Sequence, residues 1–350
     1  MKKLLVLIII IGFGFSSNTS TINQNIDISG QWFLAFNNAS EINQFALKRG
    51  YFTIKTKMND VFSIRYTQDI TLDKEGSDAG NVEIRLKYMY LKMKMDQFDF
   101  LPISFFELGM VHRPWLDFEE HINRYRAQGT MFVERAHLIN SADFGVTYTG
   151  LIGEKIDEKY QKEVNKTYPG KYGSFSVGVY NGGGYHAIEK NNNKTLEGRL
   201  TLRPFPEFMP GLQFSYYGVY GDANIDSISA DFHINLFFVS SESKYHVATL
   251  QYYKGKGDQK GKLVDEMTLN SYENDGYSAF GEFKIPGSNF AVFGRYDEFN
   301  SDQGMTITES TTIGGLTYRF LKNKVFFDVN QHQVHSQTTN IYELALEIHF

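Results

Sequence analysis

From Gln31 onward, apolar and polar positions alternate with a period of two, and no later apolar run is long enough for a membrane-spanning helix. This period predicts strands over Gln31–Asn37, Gly50–Lys57, Asp60–Gln68, Asn81–Met95, Ser104–His112, Ser141–Gly150, Gly173–Tyr180 and Thr195–Arg203. It continues with Gly211–Val219, Ala230–Phe238, Tyr245–Tyr253, Gly276–Lys284, Asn289–Asp297, Thr311–Phe320, Lys324–Asn330 and Tyr342–Phe350, sixteen in all. Links after even-numbered strands are short, as at Met58-Asn59, Ile285–Ser288 and Leu321–Asn323. Links after odd-numbered strands are longer and polar, as at Asn38–Arg49, Arg113–Asn140, Asn181–Lys194, Lys254–Asp275, Glu298–Ser310 and Gln331–Ile341. That alternation predicts an all-β fold: a transmembrane antiparallel β-barrel with tight turns at one rim and long loops at the other. Leu151–Tyr172 breaks the rule, being long and charged where a short turn is expected; a strand pair hidden there would raise the count to eighteen.

The faces fit a barrel. In Asn81–Tyr90, Val82, Ile84, Leu86, Tyr88 and Tyr90 form a row expected to face lipid, and Glu83, Arg85 and Lys87 a row expected to face the lumen. Beyond Tyr90 the phase slips, with Lys92 and Lys94 joining the even set, which suggests a bulge or the strand leaving the membrane. The last strand alternates Tyr342, Leu344, Leu346, Ile348 and Phe350 with Glu343, Ala345, Glu347 and His349 and ends the chain on an aromatic. Such an ending resembles the signal read by the outer-membrane insertion machinery, and closure of the barrel would remove its exposed edge.

Composition agrees. The chain has 22 Tyr and 30 Phe against 7 Pro and 2 Trp, and its mean hydropathy is negative, as strands with one oily and one wet face require. Lys2-Lys3, the apolar run Leu4–Ile11 and small residues up to Ser17 read as a secretory signal peptide over residues 1–20, too short to span a bilayer. The remainder, 21–350, reads as one barrel domain, and it is a bacterial outer-membrane location that these features predict. Loss of the two lysines moves the net charge from −5 to −7, which argues against nucleic acid as a partner. With 0 Cys there is neither a disulfide nor a thiolate metal site.

Little points to catalysis. No nucleophile elbow, H-E-x-x-H, P-loop or ligand cluster is present, and His332 and His335 fall on opposite faces of a strand. Neither enzyme, metal nor cofactor is expected. By parity the inward basic residues are Lys55, Lys57, Arg65, Arg85, Lys87, Arg199, Arg203, Lys284, Arg295 and Arg319. The inward acids are equally many: Glu83, Glu107, Asp143, Glu197, Asp231, Glu282, Asp297, Asp328, Glu343 and Glu347. So polar an interior favours a water-filled channel but does not choose between cations and anions.

The stretch 113–140 concentrates both signs: Arg113, Arg124, Arg126 and Arg135 against Asp117, Glu119, Glu120 and Glu134, with His112 and His137 at its ends. Folded inward, these side chains would form a constriction; left outside, they would be a solvated surface. Gly109 to Pro114, Phe132-Val133-Glu134-Arg135, Asp143-Phe144-Gly145-Val146 and Val179-Tyr180-Asn181-Gly182 follow one another in an order that resembles the phosphate-selective porin O and P family. The resemblance implies a sixteen-stranded trimeric porin whose loop after the fifth strand narrows the pore, with Pro114, Glu134, Arg135, Asp143, Asn181 and Gly182 at matching positions.

The expected function is passive diffusion of small hydrophilic solutes or ions, anions such as phosphate included. The expected partners are outer-membrane lipids, the insertion machinery, the solute and two further copies of the chain. The alternatives are a closed structural or adhesive barrel that binds a ligand through its outer loops and, from another class, an outer-membrane hydrolase.

Overall fold

The computed structural model describes residues 26–39, 42–73, 77, 79–95, 103–226 and 229–350, so the signal peptide expected over 1–20 lies outside the described residues. The described chain forms β1 (Ile26–Ala39), β2 (Ile42–Lys57), β3 (Phe62–Leu72), β4 (Val82–Lys94), β5 (Ser104–His112), β6 (Ala142–Ile152), β7 (Gly173–Tyr180) and β8 (Thr195–Leu202). Then come β9 (Gln213–Asp222), β10 (Asp231–Glu242), β11 (His246–Lys256), β12 (Glu273–Lys284), β13 (Phe290–Asp302), β14 (Thr306–Phe320), β15 (Asn323–Val334) and β16 (Gln337–His349). Every strand pairs antiparallel with its sequence neighbours, and β1 pairs with β16, which closes a sixteen-stranded barrel. Among the described residues three short helices lie in the links: α1 (Leu116–Glu120), α2 (Phe132–Arg135) and α3 (Glu158–Glu163).

Strands β5 and β7 have the bounds that alternation predicts; β4 and β8 are slightly shorter, and several others are longer. Most of 38–49, 298–310 and 331–341, expected as long loops, is strand: β1 and β2 pair as far as Ala39 with Ile42, β13 and β14 as far as Asp302 with Thr306, and β15 and β16 as far as Val334 with Gln337. The reason is that residues such as Thr306, Thr308, Gln331, Gln333 and Thr339 continue the ladder above the apolar band. With both faces in water they carry no alternation to read. The 151–172 link adds no strand pair to the barrel, only α3 and one isolated bridge between Lys155 and Gly170.

Apolar side chains on the outward rows, among them Ile84, Leu108, Val177, Leu200, Leu250, Leu316 and Leu344, are exposed, as a lipid-facing wall requires. Parity misassigns side chains on two strands, Tyr88 and Tyr90 on β4 and Asp231 on β10. The β3–β4 register shifts between Thr67 and Gln68 so that Lys87 is bulged, and Lys87, Tyr88 and Tyr90 are all buried. Tyr88 and Tyr90 thus face the lumen rather than lipid, and the slip seen beyond Tyr90 begins at this bulge. On β10 the inward row is Phe232, Ile234, Leu236 and Phe238, which leaves Asp231 on the outer row. Parity misplaces Asp231 because this stretch of wall is apolar inside, where the β5–β6 loop covers it.

Closure is made at the chain end. Gly30 N donates to Phe350 O at 3.1 Å, and Phe350 N donates to Gly30 O at 3.2 Å. A Cβ at Gly30 would run into the Phe350 ring, so glycine is what lets the terminal aromatic lie across β1.

Candidate pore constriction

The β5–β6 loop, 113–141, folds into the barrel and packs on the inner wall. Its apolar side chains Trp115, Leu116, Phe118, Ile122, Tyr125, Met131, Phe132 and Val133 are buried. Trp115 stacks on Tyr217 at 5.6 Å and meets Phe238 edge-on at 5.1 Å; Tyr125 lies 4.4 Å from Phe293 and 5.4 Å from Phe326, and Phe132 5.7 Å from Tyr253. Each such ring is worth about 1.5–3 kcal/mol relative to exposure, which sets the loop firmly against β9–β15.

Charged side chains of the loop serve the same attachment. Arg113 is fully buried; its Nε donates to Glu197 Oε1 at 2.7 Å and its Nη1 to Gln259 Oε1 at 2.6 Å. Tyr125 Oη donates to Glu282 Oε1 at 2.7 Å, and Arg135 pairs with Asp297 at 3.2 Å. Arg126 pairs with Glu120 at 2.9 Å and Glu134 at 3.2 Å, and its Nη2 reaches across the lumen to Tyr51 Oη at 3.4 Å. Glu119 is buried, accepts from Trp115 Nε1 at 2.8 Å, and is pushed up to about 8 by burial, Asp297 and Glu120 adding to the effect against the pull of Arg295.

The four arginines expected on the wall between β8 and β14 are likewise engaged. Arg199 donates to Pro114 O at 3.0 Å with its guanidinium over Phe118, and Arg203 lies over Tyr160. Arg295 pairs with Asp297 at 2.9 Å, and Arg319 with Glu282. On the facing wall, Arg85 reaches Asp69 at 3.6 Å, while Lys87 donates to Tyr51 Oη at 3.3 Å.

Two cavities, of about 430 and 650 Å³, adjoin the loop, and both are lined by Lys55, Arg65, His112, Asp117 and His121. Arg65 Nη1 lies 2.9 Å from His112 Nε2, and His112 Nδ1 faces Glu107 Oε2 at 2.9 Å. Burial pushes the Asp117 carboxyl up, but His112, His121, the Tyr168 hydroxyl and Arg65 outweigh it and hold the group well below the usual carboxylate range. Arg124, at the tip of the loop, is 42% exposed and lies 3.4 Å from Glu242.

Besides Arg113, locked to Glu197, the smaller cavity has Lys55, Arg65, Lys92, Lys155 and Lys166 against Glu107 and Asp117. The larger has Lys55, Arg65, Lys87, Arg124, Arg126, Lys322 and Lys324 against Asp117, Glu120 and Glu347. The balance by parity thus breaks in space: Glu197, Glu282, Asp297, Glu343 and Glu347 are tied up in pairs, and the residues around the cavities are mostly basic. Lys92, Lys155 and Lys166 were not among the expected site residues. The phase slip after Tyr90 was the available signal for Lys92, and the out-of-place 151–172 link for the other two.

The motifs behind the family resemblance act together in the fold. Asp143 Oδ1 accepts from Phe144 N, and its Oδ2 accepts from Gly182 N at 2.7 Å, which ties the start of β6 to the link after β7. Gly182 has φ +107°, and a Cβ at Gly145 would meet Val179 O.

No protein-family model matches the chain, and no curated protein matches it in sequence. Solved structures do resemble it. An anion-selective porin from Comamonas acidovorans superposes with a TM-score of 0.64 at 7% identity, covering 93% of this chain and 100% of that one. The outer membrane channel DcaP of Acinetobacter baumannii gives 0.61 at 10% identity, covering 95% and 99%. The trimer form of OmpT, an outer membrane protein of Vibrio cholerae, gives 0.61 at 12%, covering 93% and 99%. At these identities the likeness is one of fold: a closed sixteen-stranded barrel of the outer-membrane porin type.

Proposed function

We propose that this protein is a porin of the bacterial outer membrane, through which small hydrophilic solutes diffuse passively, anions preferentially. No bond is made or broken. The observation that carries the reading is the separation of charge by exposure: Glu197, Glu282 and Asp297 of the inner wall are spent on holding the loop, and the carboxylates lining the cavities are outnumbered by lysine and arginine. In a narrow, water-filled space with low-dielectric walls such an excess of one sign lowers the barrier for the opposite ion.

In this reading Lys55, Arg65, Arg85 and Lys87 on the wall and Arg124 and Arg126 on the loop attract the solute, while Asp117 and Glu120 oppose them and limit its dwell. Arg113, Glu119, Glu134, Arg135, Arg199, Arg295 and Arg319 keep the loop in place, and Arg203 lies against the 151–172 segment. The resemblance to the phosphate-selective O and P porins makes phosphate the first solute to try. Residues 1–20 serve as the export signal, 21–350 as a single barrel domain, Phe350 as the mark read by the insertion machinery, and the barrel works as a trimer in lipid.

The test is conductance of the purified protein in planar bilayers under a potassium chloride gradient. Ion-permeable steps with a reversal potential on the chloride side are expected. Absence of steps favours the closed adhesive barrel instead, and a potassium-side potential rejects the anion preference.

A further inference from the structure

The 151–172 segment starts and ends at the rim that carries Phe350 and the short turns, yet it does not stay there. Asp157 caps α3 by accepting from Tyr160 N at 3.1 Å, and beyond the helix the chain turns up into the lumen. Ile156, Tyr160 and Asn165 are buried. Asn165 Nδ2 donates to both Glu242 oxygens, at 3.2 and 3.1 Å, and to His121 O at 3.1 Å. Arg124 Nη2 donates to Val164 O at 2.6 Å, and Tyr168 Oη donates to Asp117 Oδ2 at 2.5 Å beneath the Arg199 guanidinium. The segment therefore meets the constriction loop at Asp117, His121 and Arg124, all of which line the cavities, and at Phe118, whose ring lies 5.7 Å from that of Tyr168.

Its own contribution to the smaller cavity is basic. Lys155 and Lys166 are exposed and line it together with Lys55 and Lys92. Neither Lys155 nor Lys166 has an ion-pair partner among the described residues, whereas the acids of the segment, Glu154, Asp157, Glu158 and Glu163, do not line that cavity.

We propose that 151–172 is a second part of the filter, on the side of the barrel that holds the chain end, in which Lys155 and Lys166 form a station for anionic solutes after the constriction. The proposal rests on the porin reading and adds to it specificity residues that lie outside the β5–β6 loop and the strands. A solute bearing a carboxylate or oxyanion would pass from Lys55 and Arg65 to Lys155 and Lys166 through a cavity whose two acids, Glu107 and Asp117, are engaged by Lys92 and His112 and by Tyr168, and such successive sites are what multi-site conduction needs. The Tyr168–Asp117 bond fixes the segment against the loop and occupies one oxygen of the acid that would otherwise oppose the solute.

The experiment compares reversal potentials and single-channel steps of the full-length protein in planar bilayers under a potassium chloride gradient. Lys155→Glu/Lys166→Glu is expected to keep its steps and to lower the chloride-to-potassium permeability ratio about two- to fivefold. The neutral pair Lys155→Gln/Lys166→Gln should give a smaller shift in the same direction, and it keeps the test open if charge reversal impairs folding. Lys159→Glu/Lys162→Glu makes the same charge change on the exposed helix α3 away from the cavity and should leave the ratio unchanged. An unchanged ratio in the first two variants, with steps intact, overturns the second station and leaves the porin reading standing. An equal shift in the helix variant overturns it too, because net charge rather than position would then be the cause. Absence of steps in the wild-type protein removes the porin reading, and this inference with it.

Discussion

Arg113 Nη2 lies 2.5 Å from Glu197 Oε1, with both side chains shut off from water and the Tyr217 hydroxyl donating to the other carboxylate oxygen at 2.7 Å. This pair joins the first residue of the constriction loop to the middle of β8. It turns the most prominent charge at the head of the loop into an anchor.

Removing one partner should therefore cost more than removing both. Arg113→Ala leaves Glu197 buried and uncompensated and is expected to lower stability by about 3–5 kcal/mol, whereas Arg113→Met/Glu197→Gln should recover most of the loss. Equilibrium unfolding in urea from lipid vesicles measures it. Equal losses in the single and double variants would mean that the pair is not the anchor.

Lys55 lines both cavities that adjoin the constriction loop and has no ion-pair partner among the described residues. Lys55→Glu is expected to lower chloride preference about twofold or more while step size changes little, since the loop is held elsewhere. Reversal potential is the readout, and no movement of it would exclude Lys55 from the path.

Glu119 gives the fold a pH dependence. Its folded value, about 8, lies above the unfolded 4.5, so the fold binds the extra proton between these limits. Its contribution is thus fully present below about pH 4.5 and is lost as the pH rises through 8. Glu119→Gln, which keeps an acceptor for Trp115 Nε1, should raise the melting temperature at pH 8.5 relative to wild type and make little difference at pH 5. A pH-independent difference in melting, followed by circular dichroism in detergent, would contradict this assignment.

Phe350 closes the barrel through its backbone and, in the proposed reading, is recognised through its ring. Phe350→Ala preserves both bonds to Gly30. It is expected to reduce the amount of folded protein in the outer membrane while leaving refolding of the purified chain in detergent nearly unaffected. Parallel loss in both assays would make the ring a matter of barrel stability rather than recognition.

By itself the sequence determined the barrel and its sixteen strands, but its residues left the loop after β5 open between lumen and outside, and only the family resemblance pointed inward. Period-two alternation is imposed locally by lipid on one face and a polar or packed interior on the other, and the strand count and short rim turns follow from it. It was silent where that contrast vanishes: above the apolar band, where β13 and β14 extend through Asp302 and Thr306, and on β10, apolar inside because a loop covers it. The bulge at Lys87 is set by register against β3, a relation between strands that one strand does not encode. Only the tertiary structure decided which charges meet water. A carboxylate on an inward row reads the same whether it lines a cavity or neutralises a buried guanidinium, and Glu197 and Asp117 parted company only when the loop and the 151–172 segment came to rest between the walls.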